Sequence, residues 1–258
     1  MDEITDSVKH PAFDPDDEES FAAAGPWLAR LGANRDFLAD LAIAELKNRF
    51  RFQSERDAYS AQVMMIHAPG SKYFIRANFW PAATDAVVRA SGAAPFFYGV
   101  AHDHNFSFLT VGYKGPGYWS DYYEHDYEAT AGVPGESVAL RFVERSRLAE
   151  GRLMLYRAHR DVHRQLPADS LSVSLNIMAA SPRTTWLDQY RFDVDRGRID
   201  GILSHSPSEA LLTLAAHFGG PDAADVANHF AHSHPSGRMR VAALREQASR
   251  FDRVEGHA

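Results

Sequence analysis

Cysteine is missing from all 258 residues. Its absence excludes disulfides, thiolate metal ligands and a cysteine nucleophile. No stretch reaches the roughly 18 apolar residues of a membrane-crossing helix, so no membrane partner is expected. Basic residues are outnumbered: 27 Lys and Arg face 34 Asp and Glu, for a formal net charge of −7. That balance argues against a broad basic face, and no nucleic-acid partner is expected. The opening stretch, MDEITDSVKHPAFDPDDEES, has neither the basic start nor the apolar core of a secretory leader. A cytoplasmic location is the expectation that follows.

The composition that is present is that of a globular chain, 45% hydrophobic and 24% charged, with enough apolar material for one large core. Residues 1–20 read as an acidic tail. Residues 21–60 read as a helical segment, because Phe37, Leu38, Leu41, Ile43, Ala44 and Leu46 give a helical apolar face with Asn34 as its cap. From Gln62 the period shortens. QVMMIHAPGSKYFIRANFWPA predicts two strands around a Pro-Gly-Ser turn, and short strands separated by Gly and Pro follow to about residue 203. GYKGPGY reads as a hairpin turn, since it lacks the Gly-Lys-Ser/Thr ending of a phosphate loop. Residues 204–258 return to a helical pattern, with RMRVAALREQASR as a solvated basic face over a packed one. The fold expected is mainly β, an antiparallel sandwich or barrel over residues 61–203 with N-terminal and C-terminal helical extensions.

FFYGVAHDHNFSFL places His102 and His104 two residues apart in a strand-like stretch. Residues i and i+2 of a strand share a face, so the two imidazoles project together and Asp103 points the other way. Two histidines on one face can hold an ion, and equally can be hydrogen-bonded structural residues. GRLMLYRAHRDVHRQLP supplies a third donor. Read as one strand, it puts His159, Asp161 and His163 on a common face, and a barrel can bring either histidine to the first pair.

The order of these motifs resembles the cupin superfamily, and within it the three-histidine, cysteine dioxygenase-like thiol dioxygenases. The similar segments are SKYFIRANFWP, AHDHNFSFL, DVHRQLP and LSVSLNIM, over roughly residues 60–180. The resemblance implies a cupin-type sandwich and makes His102, His104 and His163 the metal ligands. It implies Fe(II) as the metal and O2 as a co-substrate. Phe108 and Leu109 stand where many cupins carry a glutamate ligand, and thiol dioxygenases lack that glutamate too. An arginine in the SKYFIRANFWP region pairs with the substrate carboxylate in those proteins, which gives that role to Arg76. The Ser-His-Tyr set of that family is Ser174, Asn176 and Met178 here, which points to a substrate other than a simple thiol.

Ligand type alone also admits Zn, Mn, Ni or Co. Gln165 shares the face of His163 and is a candidate substrate contact, and Tyr98, Tyr113 and Tyr156 are candidate cavity-lining residues. Asp161 is a candidate to orient a ligand imidazole. His229, His232 and His234 read as an exposed or capping group near a helix end. The expected function is a mononuclear non-heme Fe(II) oxygenase that uses O2 on a small carboxylate- or amide-bearing substrate: an amino acid, thiol or peptide. The alternatives are a Zn- or Mn-dependent isomerase or hydrolase, and a non-catalytic small-ligand-binding module. The sequence does not set the oligomeric state.

Overall fold

This computed structural model describes residues 13–51, 62–67, 72–204 and 207–255. The expected Pro-Gly-Ser turn and most of the acidic tail lie outside them. The protein is mainly antiparallel β, with helices before and after the strands, as the sequence predicts. It gathers into two compact units. One contains Met1–His125 and Leu140–Ser181, and the other contains Asp126–Ala139 and Pro182–Ala258.

In the first unit, α1 (Glu18–Ala23), α2 (Gly25–Ala33) and α3 (Phe37–Lys47) precede the strands. The Asp17 carboxylate accepts from the amides of Glu19 and Ser20 and so caps α1. The Asn34 side chain takes the amides of Asp36 and Phe37, closing the bend into α3. Helix α4 (Ala86–Ser91) lies between the second and third strands.

The strands are β1 (Val63–His67), β2 (Tyr73–Trp80), β3 (Ala101–His102), β4 (Phe108–Lys114), β5 (Trp119–Glu124), β6 (Arg141–Arg147), β7 (Leu153–Tyr156), β8 (Asp161–Leu166) and β9 (Ser172–Ala179). One sheet runs β1-β2-β9-β4-β7. In the other, β3, β8, β5 and β6 pair in that order. From β6 to β9 the chain alternates between the two sheets at each strand.

Register explains how the five-stranded sheet divides its residues. Ile75, Ile177 and Leu109 align across β2, β9 and β4, as do Ala77, Leu175 and Val111. These rows pack with Phe21, Leu28, Leu31 and Leu38 of the helices. The intervening rows point the other way, because side chains alternate along a strand. They are Phe74–Met178–Phe108–Tyr156, Arg76–Asn176–Thr110–Met154 and Asn78–Ser174–Gly112.

Two expectations change. GYKGPGY bends the chain sharply, with Gly115 and Gly117 at φ +86° and +81°, but it forms no hairpin. β4 pairs with β7 and β9, whereas β5 pairs with β6 and β8. The stretch from Arg152 to Leu166 is also two strands in different sheets. Its break is the Arg157–Arg160 turn, where Asp161 accepts from the Arg157 amide at 2.7 Å and His159 sits at φ +60°. His159 and His163 therefore share no strand face.

The second unit holds the hairpin β10 (Tyr190–Asp193) and β11 (Arg198–Ile202), followed by α5 (Ser208–Phe218), α6 (Pro221–Ser233) and α7 (Gly237–Glu255). Leu212, Ala227, Met239, Ala242 and Ala243 form its helical core. Asp188 anchors the entrance to α7 by accepting two bonds from Arg238, at 3.0 and 3.1 Å. Among the described residues, no helix is long and apolar enough to cross a membrane.

Candidate metal centre

β3 and β8 run antiparallel with His102 directly opposite His163. His104 follows β3 in an irregular stretch that is fixed from outside. Its carbonyl accepts from the His159 amide at 2.8 Å, and Ser107 Oγ accepts from the Ala158 amide at 3.0 Å. The 157–160 turn that removed His159 from the strand thus helps to set His104 in place. On the opposite face of the segment, Asp103 is wholly buried and pairs with buried His125 at 3.2 Å.

These constraints bring three imidazoles together. His163 Nε2 lies 3.2 Å from His102 Nε2 and 3.0 Å from His104 Nε2. Donors about 2.0–2.1 Å from one ion, at angles of 90–110°, stand roughly 2.9–3.4 Å apart, so the spacing fits a shared metal. His102 Nδ1 donates to the Val100 carbonyl at 3.0 Å, which leaves the Nε2 lone pair directed at the other rings. Among the described residues, this is the one group of three or more ligand side chains close enough to hold an ion.

The electrostatics agree with neutral ligands. Burial lowers the His102 pKa to about 4, against a small opposing effect of its bond to Val100. His104 is pushed well below the usual imidazole value by burial, then by His102, His163 and Arg76. His163 is lowered by burial and by His102. Three unprotonated imidazoles leave a divalent ion its whole charge.

Arg76 projects from β2 on the same face of the sheet as Phe74 and Asn78. Burial lowers its pKa to about 10, and its Nε has no hydrogen-bond partner. Its charge reaches His104. Gln165 is buried on β8 and bonds to Tyr118, with its Oε1 unpartnered. Tyr156 packs 4.7 Å from the His163 ring, stacks on Phe108 at 4.3 Å and shares a 2.8 Å hydroxyl contact with Tyr122.

The other sequence candidates lie elsewhere. Tyr98 packs with Trp80 and Phe96 and donates to the Pro81 carbonyl at 2.8 Å. Tyr113 lies on the helix-facing side of β4, and its hydroxyl bonds the Asn34 and Arg35 carbonyls at 2.9 Å. Asp161 is engaged by Arg157 through the backbone amide and the guanidinium. In the second unit, His229 and His232 are exposed, whereas His234 is buried against Trp186 and Phe230. Asn78 and Thr110 belong to no motif in the sequence, and Asn176 stands out there only as a departure from the Ser-His-Tyr pattern. All three are buried with an unpartnered polar atom. The signal was strand parity, since Asn78 is two residues from Arg76 and Asn176 two from Ser174.

No protein-family model matches the chain, and no curated protein does. Solved structures are similar over about half of it. A cupin domain from Bordetella pertussis Tohama I is 12% identical, with 48% of this chain and 98% of that chain covered and a TM-score of 0.27. The DMSP lyase DddQ from Ruegeria pomeroyi is 11% identical, with 49% and 53% covered and a TM-score of 0.29. A hydroquinone 1,2-dioxygenase from Sphingomonas sp. TTNP3, with 4-hydroxybenzoate bound, is 11% identical, with 50% and 72% covered and a TM-score of 0.31. The chain spans about half the length of the DMSP lyases that it matches.

Proposed function

We propose that this protein is a mononuclear metal-dependent enzyme of cupin-type fold. In the finer reading, it is a non-heme Fe(II) oxygenase that uses O2 on a small carboxylate- or amide-bearing substrate. The observation that carries the proposal is the convergence of three imidazole Nε2 atoms, from buried His102 and His163 and half-buried His104, at metal-ligand spacing. His102, His104 and His163 hold the ion. Bound there, Fe(II) would supply the electrons that ground-state O2 needs and open positions for O2 and substrate.

The chain's own residues do the rest. The Arg76 guanidinium receives the substrate carboxylate, a pairing suited to its planar fork. Gln165 offers its free oxygen beside His163. Phe108 and Tyr156 wall the histidines and keep water from them. The Tyr156 pKa is held well above the usual phenol value, first by burial, so its hydroxyl stays protonated and donates. Tyr113 takes no part.

Oxygen uptake by Fe(II)-loaded protein tests the finer reading against amino acids, hydroxy acids, thiols and short peptides. Substrate-dependent uptake that is lost in Arg76→Met is the expected result. No uptake with any compound, together with hydrolysis or isomerisation by the Zn or Mn form, would replace oxygenase chemistry with Lewis-acid chemistry.

A further inference from the structure

Phe97 occupies a backbone position that suits glycine. It closes the short 3-10 turn Ala94–Phe96 in the left-handed region, at φ +57° and ψ +17°. A Cβ there crowds the following carbonyl oxygen, so the position favours glycine or asparagine, and a large aromatic is an outlier in it. Among the described residues, four non-glycine residues have positive φ: Arg49, Phe50, Phe97 and His159. Two of the four adjoin the metal centre. The His159 amide donates to the His104 carbonyl at 2.8 Å, and the Phe97 ring lies 5.2 Å from the His102 ring, tilted by 47°.

The residues on either side hold this backbone in place. Phe96 and Tyr98 are buried in a cluster with Trp80 and Tyr118. The Phe97 amide donates to the Ala94 carbonyl at 3.0 Å, and its carbonyl accepts from the Val100 amide at 3.2 Å. The Gly99 amide donates to the Gln165 carbonyl of β8 at 2.8 Å. Phe97 itself is 40% exposed, so burial does not account for a phenyl ring at this position. The ring gains less from leaving water than its neighbours do, while its backbone costs more than glycine's. What the ring does meet is His102, which is only 3% exposed. The other aromatic rings packed on His102 among the described residues are its fellow ligands His104 and His163, at 4.8 and 4.5 Å. A strained residue that its surroundings keep in place, beside a ligand side chain, points to a functional constraint.

We infer that Phe97 is a positioning residue of the metal centre: its ring fixes the plane of the His102 imidazole and closes that side of the centre to water. It touches neither the ion nor the reacting atoms. His102 is tied at Nδ1 to the Val100 carbonyl, and one hydrogen bond still lets the imidazole rock about it. A phenyl ring packed against the imidazole removes that freedom, so Nε2 keeps its aim at the point shared with His104 and His163. The same ring is an apolar cover. Water and competing ligands must displace it to reach His102 from outside, which slows loss of the ion. The effect on the ion rests on the metal-centre reading, whereas the shielding of His102 does not.

Two measurements on the full-length protein test this, with wild type, Phe97→Gly, Phe97→Ala and Phe97→Tyr. The first is acylation of the metal-free protein by diethyl pyrocarbonate at neutral pH, read histidine by histidine by mass spectrometry. The second is the rate at which the Zn-loaded protein gives up its ion to excess EDTA. His102 should be modified about tenfold faster in the glycine and alanine variants, and zinc should leave about 10–100-fold faster, whereas Phe97→Tyr keeps the ring and should match wild type. Of the two truncations, Phe97→Gly should have the higher Tm, the reverse of their usual order, because glycine alone is unstrained at φ +57°. Modification of His102 and zinc release unchanged in both truncations would overturn the inference while leaving the metal centre intact. Faster modification spread evenly over His102, His125 and His163, with a lower Tm, would mean general loosening and would also overturn it. Faster modification confined to His102, in proteins that take up no zinc, would uphold the shield and remove the metal reading.

Discussion

His102 and His163 face each other across the β3–β8 pair, with their Nε2 atoms 3.2 Å apart. Two sheet positions about sixty residues apart thus present lone pairs to a common point. Without a metal this is an unfavourable arrangement, because either ring, once protonated, meets the other and the buried surroundings.

That cost appears as a pH dependence of the metal-free protein. Burial lowers the pKa of His102 to about 4, below the ordinary imidazole value of 6.5, and those of His104 and His163 are lowered too. The unfolded chain therefore binds more protons than the folded one below about pH 6.5, and the metal-free protein loses stability as the pH is lowered through that window. His102 alone accounts for about 3 kcal/mol between pH 7 and pH 4. Urea unfolding of metal-free protein across this range should show the decline, and His102→Phe should flatten it.

The Asp103–His125 pair lies on the face away from the ligands and is buried on both sides. Asp103→Leu leaves His125 without its carboxylate in the interior, and is expected to cost about 3–5 kcal/mol. Denaturant unfolding measures it. Because the same segment carries His102 and His104, metal affinity should fall as well.

Arg76 is a charged group held by burial with an unpartnered Nε. Arg76→Met should leave stability unchanged or raise it by about 1 kcal/mol. Binding of any carboxylate substrate should be lost. Thermal unfolding and calorimetry on the same samples separate the two effects.

Gly112 lies on the inward face of β4, where an added Cβ would meet the Ala149 carbonyl oxygen at 2.1 Å. Gly112→Ala must push the β6–β7 connection away from β4, at a cost of about 2–3 kcal/mol, read as a lower midpoint in urea.

Strand parity and turn residues made much of the fold legible. The β core and its helical flanks follow from alternation of apolar residues and from Gly and Pro spacing, whereas His104 reaches His102 from an irregular stretch beyond the end of β3 and not by strand parity. The division between sheets was not legible, because it depends on pairings across the chain. GYKGPGY carries hairpin chemistry, yet it passes the chain from one sheet to the other. Asp161 reads in the sequence as a candidate to orient a ligand imidazole, whereas its bonds to Arg157 end β7 and turn the chain into β8. Tyr113 has the composition of a cavity residue, but its parity with Val111 sends it to the helices. Asn176 and Thr110 become a pair only once β4 and β9 are in register.

The central claim is that three histidines hold one metal ion. Elemental analysis of wild type beside His102→Ala and His163→Ala, each purified alike and reconstituted with Fe(II), tests it most directly. One equivalent of metal in the wild type, lost in both variants with the fold intact by circular dichroism, is the predicted result. Equal metal in all three proteins, or none in any of them, would contradict it.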